Sequence, residues 1–192
     1  MAACALLALG LPGCVDTGSD VTARSAGANV ARTTLARRAD VSPSGASVAF
    51  ASLEGPPQAV SARFVAAFAS EAGNRDIRLA DPKTARYQMR GYLTAYTAEG
   101  GTAIAYVWDV FDASKQRAQR LTDAIVIKGA AGDPWSLVDD RALASVAAKS
   151  ADDLAAFLSN TPEAIAAARS ARPALAAVPK PAAKPLGFAP AE

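Results

Sequence analysis

Residues Tyr87 to Lys128 read YQMRGYLTAYTAEGGTAIAYVWDVFDASKQRAQRLTDAIVIK. Most of this stretch alternates between apolar and polar side chains at period two, the pattern of half-buried strands. Two clusters of turn-forming residues divide it: Ala98-Glu99-Gly100-Gly101 and Asp112-Ala113-Ser114-Lys115. Glycine takes positive φ at little cost, and an Asp can hydrogen-bond the backbone two residues on. Three strands in an antiparallel meander follow. Tyr87, Tyr92, Tyr96, Tyr106, Trp108 and Phe111 all lie within it.

Pairing Ala95 with Ala103, and Asp112 with Gln116, sorts the side chains into two faces. Met89, Gly91, Leu93, Ala95, Ala103, Ala105, Val107 and Leu121 make a small apolar face suited to helices. Arg90, Tyr92, Tyr96, Ile104, Tyr106 and Trp108 make a larger aromatic face, with Arg120 opposite Trp108. Asp109 then falls on the helix side, an awkward place for a carboxylate. The second face is the expected binding surface, with Arg90, Tyr92, Tyr106, Trp108 and Arg120 as its candidate residues.

Outward from the meander, Ser47 to Leu53 alternates like a strand and stops at Gly55-Pro56-Pro57. Val60, Phe64, Ala67 and Phe68 share one helical stripe, which Gly73 closes. Ile77-Arg78-Leu79 is a short second strand. Beyond the meander, Leu137, Leu143, Val146, Leu154 and Leu158 recur at helical spacing up to Asn160. Thr161-Pro162-Glu163 caps one more short helix, through about Ala171. The expected fold is α+β. It is a two-layer sandwich with a four- to five-stranded mixed sheet and two helices on one face. Residues 46–160 form that domain, and 161–192 form the short helix and a solvated Pro/Ala/Lys tail.

The chain has 192 residues, a net charge of +2 and no histidine. Without histidine it lacks the commonest general base and metal ligand. No basic run calls for nucleic acid. Ser145 and Lys149 miss the spacing of a serine–lysine pair by one residue. Asp139-Asp140 and Asp152-Asp153 are helix neighbours that point apart. Neither glycine cluster has the spacing of a phosphate loop. No cofactor, metal or catalytic residue is expected, and the protein reads as a binder and not an enzyme.

The amino-terminal text is apolar up to Leu11-Pro12-Gly13-Cys14. It resembles a bacterial lipoprotein signal, in which the chain is cut before a cysteine that then receives acyl chains. The alternative is an ordinary secretory signal. On the first reading, residues 1–13 are the signal, Cys14 is lipidated, and 14–45 are a flexible tether. Val15 and not Asp stands directly after Cys14, which favours the outer membrane over the inner.

Arg90-Gly91-Tyr92-Leu93 and Tyr106-Val107-Trp108-Asp109-Val110-Phe111-Asp112 are similar to segments of small envelope lipoproteins of alphaproteobacteria. The architecture over 46–160 also resembles the lipopolysaccharide-assembly lipoprotein and the lipoproteins that activate peptidoglycan synthases. The resemblance implies an adaptor anchored in the envelope, facing the periplasm and binding an envelope protein. A second expectation, from the aromatic and arginine face, is a binder of a glycan or an anionic small molecule.

Overall fold

A computed structural model describes residues 35–176. β1 (Ser47–Glu54) leads through α1 (Gln58–Gly73) to β2 (Arg78–Leu79). The meander follows as β3 (Tyr87–Ala98), β4 (Gly101–Phe111) and β5 (Arg117–Ile127). α2 (Asp140–Ser159) and α3 (Pro162–Ala176) close the chain. The five strands stand in the order β2-β1-β3-β4-β5, with β1 parallel to both its neighbours and the meander antiparallel. This is the expected α+β fold, a mixed sheet under a helical layer.

The register differs from the sequence expectation, and the difference has two causes. Ala98 pairs with Gly101, so only Glu99 and Gly100 form the first loop. Gly100 has φ 85°, which lets so short a loop close. Ala95 therefore faces Ile104 and not Ala103. A slip of one residue turns a whole strand over, and β4 is turned over. At the second turn the Asp112 N–H donates to the Gln116 carbonyl at 2.9 Å, as expected. Phe111 then pairs with Arg117 but Val110 with Gln119, so Ala118 is the extra residue of a β-bulge. The bulge returns β5 to its expected face. Trp108 lies opposite Leu121, and Arg120 lies opposite Asp109.

Ile104, Tyr106, Trp108 and Val110 consequently point into the helical layer, each fully buried. The Trp108 indole meets Phe64 at 5.5 Å, Phe50 at 6.1 Å, Phe68 at 6.3 Å and Tyr106 at 5.5 Å between ring centroids. Its Nε1–H has no acceptor among the described residues, at a cost of about 1–3 kcal/mol. Burying an aromatic side chain removes roughly 150–250 Å² from water, worth at most about 4–6 kcal/mol. Burial wins, and Trp108 is core.

Charged side chains fix the helices over this core. Arg75 joins Glu71 of α1 to Asp152 of α2, with Nε 2.5 Å from Oδ1 of Asp152. Arg63 reaches Asp140 at 2.8 Å. The Tyr106 hydroxyl donates to Oδ2 of Asp153 at 2.6 Å, and Lys149 lies 2.7 Å from Asp123 of β5. Burial raises the pKa of Asp153, against the Tyr106 hydrogen bond that lowers it.

Both flanks of the domain extend further than the sequence indicated. Residues expected at the end of the tether are docked. The Arg38 N–H donates to Ser159 Oγ, and Asn160 Nδ2 donates to the Ala36 carbonyl, both at 2.9 Å. α3 also belongs to the fold, with Thr161 and Ala164 buried. The Tyr87 hydroxyl donates to Glu163 at 2.9 Å. Burial, with that carboxylate beside it, pushes the Tyr87 pKa up to about 12. The signal, Cys14 and the tail beyond Ala176 lie outside the described residues.

Gly91 is the position on β3 opposite Trp108. A Cβ there would stand 2.0 Å from Cζ3 of the indole. Gly91→Ala should cost roughly 3 kcal/mol, at the upper end of overpacking. Gly73→Ala, where nothing lies within 4 Å, should be neutral or stabilise by up to about 1 kcal/mol. Urea midpoints read both, and equal midpoints for the two variants would mean that the indole leaves Gly91 freely.

Candidate functional site

The face of the meander turned away from the helices is the candidate site. Gln88, Arg90 and Tyr92 reach it from β3, Val107, Asp109 and Phe111 from β4, and Arg120 from β5, as the register dictates. Of the sequence candidates, Arg90, Tyr92 and Arg120 are on this face. Tyr106 and Trp108 are not: both are fully buried under the helices, because the two-residue loop turned β4 over. Neither is available to a ligand. Cys14 lies outside the described residues.

The same inversion brings Asp109 to the open face, where it organises the arginines. Arg120 grips it with two hydrogen bonds, Nε to Oδ1 at 2.7 Å and Nη2 to Oδ2 at 2.6 Å. Arg117 stands 3.7 Å from Oδ1. The Asp109 side chain is only 7% exposed, so these partners replace its water. Arg90 is paired across the strands with Asp109, yet it lies over the Phe111 ring at 5.2 Å. Tyr92 is 39% exposed on the same strand.

Towards the second turn this face deepens into a hollow of about 460 Å³, lined by Arg86, Gln88, Arg90, Phe111, Asp112 and Lys115 among others. Phe111, Asp109 and Lys115 were not singled out as site residues from the sequence. The available signal was the period-two run Val107, Asp109, Phe111, which shares Arg90's face once Asp109 is required to face outwards.

The carboxylates weighed as catalytic pairs hold the structure together. Asp139 caps α2 by accepting the Ala142 N–H at 2.8 Å. Asp152 holds Arg75, and Asp153 accepts from Tyr106. Among the described residues no group of three or more His, Cys, Asp or Glu is placed to hold a metal. No described helix is long and apolar enough to cross a membrane.

No protein-family model matches this chain, and no curated protein matches its sequence. Among solved structures it is similar to the PelC dodecamer from Paraburkholderia phytofirmans, with TM-score 0.39 and 20% identity. That match covers 66% of this chain and 98% of the other. A single-substitution variant of the same PelC gives TM-score 0.38 and 20% identity, over 60% and 90% of the two chains.

The Arg120 guanidinium holds the Asp109 carboxyl below the usual carboxylate pKa, against the opposing effect of burial. Its contribution is complete above the unfolded value of roughly 3.9 and is lost as pH falls through the lower folded value. Asp109→Asn should therefore cost about 1 kcal/mol, with half-exposed arginines limiting the figure. The gap to wild type should stay constant from about pH 5 to about pH 8 and close below about pH 4. Denaturant midpoints across pH check this, and a gap that persists at low pH would remove the ion pair as its cause.

Proposed function

We propose that this protein is a lipid-anchored accessory protein of the bacterial cell envelope. In this reading Cys14 carries the acyl chains in the outer membrane, the domain faces the periplasm, and the open sheet face binds an envelope protein. The observation that carries the binding half is the face itself. Both large helices cover one side of the sheet, and no described element covers Arg90, Tyr92 and the Asp109–Arg120 pair on the other. An antiparallel sheet with one face free, bearing an aromatic ring and ordered arginines, has the residue types that dominate protein interfaces. The Leu11-Pro12-Gly13-Cys14 box carries the anchoring half. The carboxylates in structural roles favour an adaptor over an enzyme.

The second reading, a binder of a glycan or anionic small molecule, loses the stacking surfaces of Tyr106 and Trp108. It retains Arg90, Tyr92 and Arg120.

Two measurements test the proposal. Labelling of cells with a palmitate analogue should mark the wild type and leave Cys14→Ser unmarked. Equal labelling, or none in either, would sink the anchor. A photocrosslinker at position 92 should give discrete envelope adducts, and one at Ser145 on the exposed side of α2 should not. The same adducts from both positions would remove the open face as the partner surface.

A further inference from the structure

The hollow beside Phe111 has a charge arrangement that the adaptor reading leaves unused. Of its cations, Arg86 is matched by Glu163, with Nε 2.6 Å from Oε1. The one acid in the lining, Asp112, spends Oδ1 on the N–H groups of Ser114 and Gln116 at 2.8 and 3.0 Å. Asp109, the acid across the strand from Arg90, is held by Arg120. Arg90 and Lys115 thus make no ion pair among the described residues. Asp112 keeps its negative charge, so Arg90 and Lys115 together leave the hollow one positive charge in excess, which favours an anion by charge complementarity.

The lining is also ordered for the task. The Arg90 guanidinium carbon lies over the Phe111 ring at 5.2 Å, a cation–π contact that restrains the side chain. Less side-chain freedom is then lost when its N–H donors fork around a carboxylate. Lys115 is in the left-handed region at φ 60°, costly for a residue with a side chain, and the Asp112 turn fixes it there. Gln88 Nε2 donates to the Pro82 carbonyl at 3.1 Å, which leaves its Oε1 as an acceptor for a hydroxyl. The volume of about 460 Å³ falls within the range of small-ligand sites, about 300–1,000 Å³.

We propose that this hollow binds an acidic sugar, with the carboxylate between Arg90 and Lys115 and a ring hydroxyl on Gln88. The proposal rests on the second reading above, that the open face takes an anionic glycan, and gives it a place and a ligand class. The ligand is more than a bare anion: a sugar hydroxyl uses the Gln88 acceptor, which inorganic phosphate does not require.

Calorimetric titration of the full chain tests it, with trigalacturonate, free galacturonate, neutral maltotriose and inorganic phosphate as probes. Trigalacturonate should bind saturably and at least about tenfold more tightly than maltotriose or phosphate, and more weakly as salt rises. Arg90→Gln should weaken it about tenfold, the loss of one charged hydrogen-bonding partner. Phe111→Leu, which keeps the charge and frees the guanidinium, should weaken it less. Binding of free galacturonate as tight as the trimer assigns the site to a single sugar unit, and tighter trimer binding assigns it to a chain. No saturable trigalacturonate binding, equal binding by Arg90→Gln, or equal affinity for maltotriose or phosphate would overturn the proposal. Arg90 is exposed, so its variant folds. Cys14 labelling and crosslinking from position 92 report the anchor and the protein partner separately, so this site can fail while they stand.

Discussion

The indole of Trp108 lies on the bare backbone of Gly91, and the rest of the domain is arranged around that contact. Glycine opposite tryptophan gives the ring a seat at sheet level, where a methyl group would collide with Cζ3. Seated there, the ring is low enough for Phe64 and Phe68 of α1 to lie over it, and Phe50 of β1 closes its edge. One cross-strand pair thereby joins three strands and a helix. The contact explains why a sheet rich in alanine has an ordered core: the bulk comes from a few rings, and the small residues give them room.

What the core takes from β4, the open face receives in exchange. Strand side chains alternate, so sending Tyr106 and Trp108 inwards sends Val107, Asp109 and Phe111 outwards. Asp109 then neutralises Arg120 and draws in Arg117, while Phe111 supports Arg90. The arginines of this face are sorted into paired and stacked kinds by two residues of a single strand. That sorting, more than the number of charges, gives the surface its chemistry.

Much of this was legible in the sequence. The period-two stretch and its turn clusters placed the meander, and the stripe Val60-Phe64-Phe68 placed α1 over it. β3 and β5 were assigned to their correct faces. The illegible part was one residue of loop length. A two-residue loop, Glu99-Gly100, and a three-residue loop, Ala98-Glu99-Gly100, are both plausible, and periodicity within a strand says nothing about its offset from the next. The bulge at Ala118 then compensated for the slip, so the errors cancelled in β5 and remained only in β4. Asp109 was the warning: a carboxylate assigned to the helix side marked the strand that was inverted. The docking of residues 36–45 was hidden for another reason. It rests on backbone and polar side-chain bonds to Ser159 and Asn160 and on two isolated apolar residues, Val41 and Pro43, which make no periodic pattern to read.

That docking also sets the mechanics of the domain. Tension reaching Leu35 from the amino-terminal side meets the bonds to Ser159 and Asn160 first, then runs through the turn at Pro43–Gly45 into β1. β1 is an interior strand with parallel neighbours on both sides. A pull along its axis loads the ladder hydrogen bonds together, in shear, and does not peel them one at a time. The two meander strands that carry most of the open face, β4 and β5, lie beyond β3 and outside that line of force.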